Sequence, residues 1–141
     1  MKKSPKKILI IDDDPGMIKV LTKWLKVAGR EVVSAYYGKT GLKMARTVVP
    51  DLILIDLMLP DIGGLDVARQ LKADAKTRDI PFIFISAYIG LENDKGDEQL
   101  EIDGVKYSIF AKPLHNAKLL SEIRKSINRR LHKNPEPQPR K

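Results

Sequence analysis

Hydrophobic residues follow two alternating rhythms along this chain. Short apolar runs occur at KILII (7–11), EVVSAY (31–36), DLILID (51–56), IPFIFISA (80–87) and SIFAKP (108–113). Between them, apolar residues recur every three or four positions. The first such set is Met17, Val20, Leu21, Trp24, Leu25 and Ala28; a shorter one spans 39–48. Leu65, Ala68 and Leu71 form a third, and Leu119, Leu120, Ile123, Ile127 and Leu131 a fourth. The runs predict buried strands and the spaced sets predict amphipathic helices over 16–28, 39–48, 64–73 and 116–131. Punctuation agrees with this division. DDDPG closes the first strand, Gly29 caps the first helix, and Pro50 stops the second, which Gly41 weakens. Pro81 stands near the start of the fourth strand, where a missing N–H is tolerated. Lys19, Lys23 and Lys26 take the outer side of the first helix, which assigns Trp24 to the core. Asp14 is a candidate N-cap for that helix, and Asn116 or His115 for the last.

Strands alternate with helices five times, and most strands are apolar on both faces. This predicts an α/β fold, a doubly wound five-stranded parallel sheet of order 2-1-3-4-5 (flavodoxin-like), with helices on both faces. The stretch YIGLENDKGDEQLEIDGV, residues 88–105, fits least well. Gly90, Gly96 and Gly104 interrupt it, and beyond Gly90 only Leu91, Leu100, Ile102 and Val105 are clearly apolar. A short or shifted fourth helix is predicted there. The other arrangement is a hairpin about Asp103-Gly104 that pairs EQLEI with VKYSI.

The 141 residues suit one domain. Its net charge of +8 lies at the ends: Lys2, Lys3, Lys6 and Lys7 supply four charges and the stretch from Arg129 a net four more. Residues 8–128 balance 17 basic against 17 acidic residues. The reading is therefore a basic tail (1–6), a domain (7–131) and a Pro-rich basic tail (132–141). Neither tail has an aromatic residue to stack on a base, so they read as solvated segments with at most nonspecific affinity for nucleic acid. The absence of cysteine excludes disulfides and thiolate metal sites and fits a reducing, cytoplasmic location. The apolar run before Asp12 is too short for a signal peptide, and none approaches the ~20 residues of a membrane span.

In a doubly wound sheet, ligands bind at the rim formed by the strands' C-terminal ends. Asp12, Asp13 and Asp14 end the first strand, Asp56 the third, Ser86 the fourth and Lys112 the fifth. Clustered carboxylates must either hold protons at raised pKa or bind a cation. All-oxygen donors without His or Cys favour a hard ion, and few carboxylates beside a phosphoryl oxygen suit Mg²⁺. His115 has no partner nearby and suggests no metal site. A divalent ion beside a free carboxylate, a hydroxyl and an ammonium suits phosphoryl transfer onto that carboxylate.

The same residues carry a family likeness. KILIIDDDPGM, DLILIDLMLPDIGG, TRDIPFIFISA and AKP, in that order, resemble the receiver domain of two-component response regulators, in particular the stand-alone, chemotaxis-regulator-like type. The resemblance spans about residues 7–130. It implies that Asp56 is the phosphoacceptor, and that Asp13, Asp56 and the backbone carbonyl of Met58 ligate Mg²⁺. Asp12 is implied to act through a water or a second shell. Ser86 is implied to bind the phosphoryl group, paired with Lys112. The implied donor is a sensor histidine kinase or phosphotransfer protein, and the protein is a signalling switch rather than an enzyme, assisting its own phosphorylation and acyl-phosphate hydrolysis. No effector domain fits within this length, so output is expected through a protein partner at the surface of helix 4, strand 5 and helix 5. A piece cut from a larger regulator or hybrid kinase would instead use the Pro-rich tail as a linker.

Two features depart from the family pattern. Ser86 and Lys112 are separated by 25 residues, a few more than the family usually has. The place of its aromatic switch, three before the lysine, holds Ile109. Tyr107 shares that sheet face by strand parity, roughly 7 Å further from Lys112. Ile109 and Tyr107 are thus the candidate switch substitutes, and a receiver-like binding module that does not switch on phosphorylation is the alternative. A phosphohydrolase using Asp56 on small phosphate esters is a third reading, with no evident substrate pocket to support it.

Overall fold

The computed structural model describes residues 6–87 and 98–133. The tails outside these bounds, and with them the tail readings, lie outside the described residues. The elements are β1 (Lys7–Ile11), α1 (Pro15–Val27), β2 (Glu31–Ala35), α2 (Gly38–Val48), β3 (Leu52–Asp56) and α3 (Gly64–Ala73). β4 (Phe82–Ser86), β5 (Glu98–Ile102), β6 (Val105–Ala111) and α4 (Asn116–Lys133) complete them. Each of the five predicted strands is present, as are the helices predicted over 16–28, 39–48, 64–73 and 116–131, with boundaries moved by at most three residues.

One sheet has the order β2-β1-β3-β4-β6-β5. β1, β2, β3, β4 and β6 pair in parallel, which is the predicted 2-1-3-4-5 order. Alternation along each strand sorts the core into two layers. Leu9, Ile11, Ile53, Ile55, Phe82 and Phe84 face α2 and α3. Ile8, Ile10, Leu52, Leu54, Ile83 and Ile85 face α1 and α4. Trp24 packs against the second layer, as its place on the stripe predicts. Gly41 weakens α2 in isolation, yet a Cβ there would come within 2.4 Å of the Ile11 side chain. The glycine lets α2 lie close on β1.

The sheet has one strand more than predicted. β5 pairs antiparallel with β6, from Glu98↔Ile109 to Ile102↔Val105. The hairpin prevails over a short helix at 98–105 because Asp103 (φ 51) and Gly104 (φ 83) both take left-handed backbone, as a two-residue primed turn requires. Leu100 and Ile102 then alternate onto the α2/α3 layer, Ile102 being buried. The rest of the predicted fourth-helix region, 88–97, lies outside the described residues. Of the predicted output surface, strand 5 is β6 and helix 5 is α4.

Candidate functional site

Register brings the site together. Ile11 at the end of β1 is level with Ile55 on β3, so Asp12 and Asp56 emerge side by side. Asp56 is level with Ile85, and Ser86 with Ala111, so Ser86 and Lys112 follow on the next two strands of the same rim. The Lys112 amide donates to the Ser86 carbonyl at 2.9 Å, which fixes the lysine's backbone against β4.

Lys112 Nζ lies 2.9 Å from Asp12 Oδ2 and donates to Asp56 Oδ2 at 3.1 Å. Asp12 is fully buried, Asp56 is 4% exposed, and the lysine side chain is 14% exposed. In such an environment one ammonium between two carboxylates is held firmly charged: hydrogen bonds and charge from Asp12 and Asp56 raise the Lys112 pKa, outweighing its desolvation. The opposing tendency wins at Asp12. Burial pushes its carboxyl up to about 6, with Asp56 adding to the rise, against the Asp14 amide and Lys112, which lower it. Asp12 Oδ1 accepts from the Asp14 amide at 3.0 Å, whereas Oδ2, though near the ammonium, is buried without a well-directed hydrogen bond. Asp14 does cap α1, its side chain accepting from Gly16 N at 2.9 Å, so only two of the three consecutive acids serve the cluster.

Asp13 is exposed and completes a trio with Asp12 and Asp56 whose ligand atoms lie within 4.8 Å of one another. Three carboxylates against one ammonium leave a local negative excess. The donors are all oxygen, and Asp12 Oδ2 is buried without a hydrogen-bond partner among the described residues. These residues fit a hard divalent cation. Met58 follows in the next loop, and its amide donates to Asp56 Oδ1 at 3.0 Å. That bond turns one oxygen of Asp56 toward the loop and leaves Oδ2 for the lysine.

Tyr107 and Ile109 share the α2/α3 face, as strand parity predicts, and Phe110 lies in the opposite layer. Ile109 is buried. The Tyr107 ring stacks on Phe82 with centroids 4.5 Å apart and meets Phe84 edge-on at 6.2 Å.

Two contributors escaped the sequence reading. Asp61 accepts from the amides of Gly38 and Lys39 at 2.8 and 2.9 Å. It caps α2 from a distant loop, and those amides hold its carboxyl down at about 2. The signal was present: α2 starts after Tyr37, which makes no side-chain cap, so its first amides need a partner from elsewhere. Gly64 is the second. Its amide bonds the Leu57 carbonyl at 3.0 Å, and a Cβ there would stand 2.4 Å from the Asp56 carbonyl oxygen and 2.8 Å from Leu57 Cα. Those obstacles are backbone and cannot swing aside. Gly64→Ala is therefore expected to cost about 1–3 kcal/mol in urea denaturation and to weaken Mg²⁺ binding by displacing Asp56. Unchanged stability would show that the close approach is not required.

Comparisons with known proteins agree with this geometry. The sequence profile of the response regulator receiver domain matches residues 8–124. RpaA of Synechocystis sp., described as a DNA-binding dual master transcriptional regulator, is 35% identical over 123 residues, covering 87% of this chain and 49% of its own length. The chain thus spans about half of RpaA. The polar-differentiation response regulator DivK of Brucella anthropi is 32% identical over 120 residues, covering 85% of this chain and 94% of DivK. Among solved structures, the receiver domain of sensor histidine kinase PA1611 from Pseudomonas aeruginosa PAO1 matches with a TM-score of 0.75 at 25% identity, covering 88% of this chain and 98% of that one. That crystal structure has a magnesium ion coordinated in the active-site cleft. Among the described residues of this chain, no helix is long and apolar enough to cross a membrane.

Proposed function

From the premise that the chain belongs to the response regulator receiver domain family, we propose that it works in the cytoplasm as a switch, accepting a phosphoryl group on Asp56 from a sensor-kinase or phosphotransfer-protein histidine. The observation that carries this reading is the ion pair of Asp56 with Lys112 beside Asp12 and Asp13 at one rim of the sheet. In the transfer, Asp56 Oδ attacks phosphorus, the donor's P–N bond breaks, and the imidazole leaves with a proton. Lys112, 3.1 Å from Asp56 Oδ2, would balance charge on the incoming phosphoryl oxygens, and Ser86 on β4 would hydrogen-bond one of them. Asp13, Asp56 and the Met58 carbonyl would hold Mg²⁺, with Asp12 acting through a water or the second shell. When bound, the ion supplies further positive charge to the same oxygens. Attack of water on the acyl phosphate releases inorganic phosphate and returns Asp56 to its carboxylate. The output partner is proposed to meet the surface of β6 and α4.

Metal binding is directly testable through pH. The Asp12 pKa is raised on folding, so its protonated form favours the native state. Metal-free stability from this group is present below the ordinary carboxylate pKa and is lost as pH rises toward about 6. Mg²⁺ requires the charged form. Its stabilising increment in thermal melts is therefore expected to be larger at pH 8 than at pH 5, and to vanish with chelator. An increment independent of pH would count against the buried carboxylate taking part.

A second reading has its own support. Ile109 occupies the switch position, and Tyr107 is held in the Phe82–Phe84 cluster, which favours a module that binds without switching. Amide NMR spectra with and without beryllofluoride separate the two. Shifts along 98–111 support the switch, and spectra altered only around Asp56 support the binding module.

A further inference from the structure

At the rim opposite the carboxylates, a cleft of about 470 Å³ opens between the end of α3, the starts of β4 and β6, and the last turns of α4. Five basic side chains line it, Lys72, Arg78, Lys106, Arg129 and Arg130, against two acidic ones. Two of the five are occupied. Arg129 pairs with Glu122 at 2.6 Å, and Lys72 donates to the Arg78 carbonyl at 3.3 Å. The side chains of Arg78, Lys106 and Arg130 make no hydrogen bond or ion pair with any described residue.

Cations are common at helix C-termini, where they complement the macrodipole, and this accounts for Lys72, Arg129 and Arg130. It does not account for Arg78 in the loop before β4 or Lys106 on β6. Uncompensated positive charge converging in a concave space repels itself, and an anion relieves that repulsion. Guanidinium groups match phosphoryl oxygens in pairs, and about 470 Å³ falls within the range of small-molecule sites, below what a folded partner would need. We propose that this cleft binds a small polyanion carrying two or more phosphoryl groups. The site is separate from Asp56: Tyr107 lines it, and Lys112 lies roughly 17 Å further along the same strand.

The test is isothermal titration calorimetry of the full chain with tripolyphosphate, ATP and inorganic phosphate. Chelator is present so that the carboxylate cluster holds no divalent ion. Tripolyphosphate and ATP are expected to saturate one site, with inorganic phosphate much weaker and affinity falling as salt rises. Tighter binding of ATP than of tripolyphosphate assigns a nucleotide; equal binding assigns recognition to the phosphoryl chain alone. The Arg78→Gln/Arg130→Gln double variant should lose affinity by at least about tenfold while melting like the wild type. Neutralising Arg140 and Lys141 should change nothing. The proposal is overturned if neither polyanion saturates, if the double variant binds as well as the wild type, or if the tail variant is the one that loses binding.

Discussion

Asp56→Asn is expected to abolish phosphoryl uptake from an acyl-phosphate donor in Mg²⁺ while leaving the fold in place. Intact-mass spectrometry should find the wild type carrying one added phosphoryl group and the variant none. The chemistry is lost because a carboxamide oxygen is a far poorer nucleophile than a carboxylate. The fold survives because the replacement is nearly isosteric. Its oxygen still accepts from the Met58 amide, now at 3.0 Å, and Lys112 keeps Asp12 at 2.9 Å. Metal affinity should fall as well, since one of the three clustered carboxylates loses its charge. Undiminished labelling would remove Asp56 from the role and direct attention to Asp13, the exposed member of the trio.

Lys112→Met is expected to have the largest effect on stability. The side chain lies between a fully buried and a nearly buried carboxylate, and removing the cation leaves both without compensation. Breaking a buried pair costs about 3–5 kcal/mol when the remaining charge cannot escape. Here Asp12 has an escape, because it already binds its proton up to about pH 6 and without the lysine would bind it more tightly still. The penalty should therefore be small at pH 5 and should grow toward pH 8 in urea denaturation without metal. Mg²⁺ should recover part of the loss at pH 8, because the ion takes over the missing positive charge. Phosphoryl uptake should remain impaired, since the ammonium beside Asp56 would be gone. An equal loss of stability at pH 5 and pH 8 would mean that Lys112 acts through its packing rather than its charge.

The parts legible in the sequence were those encoded locally. KILII, DLILID and IPFIFISA announce buried parallel strands by their unbroken apolar character, and strand direction then places Asp12, Asp56, Ser86 and Lys112 on one rim. The hairpin was only half legible. Asp103-Gly104 is a turn signal, but EQLEI alternates too briefly to outweigh a helix expected from the rhythm of the elements before it. The burial and raised pKa of Asp12 were harder still, since they arise from neighbours on three strands. Asp61 and Gly64 were missed because their roles are relations rather than patterns. One answers a helix start 22 residues away in sequence, and the other answers a carbonyl whose distance only folding determines.

The cap on α2 has a consequence of its own. The loop that follows Asp56 is moored by Asp61 to the first turn of α2, which shares a face of the sheet with α3. Any rearrangement of that loop after phosphorylation must carry the helix start along or cut the mooring and leave two amides bare. The chain therefore has a built-in resistance on the side away from β6, which would channel motion toward β4 and β6 instead.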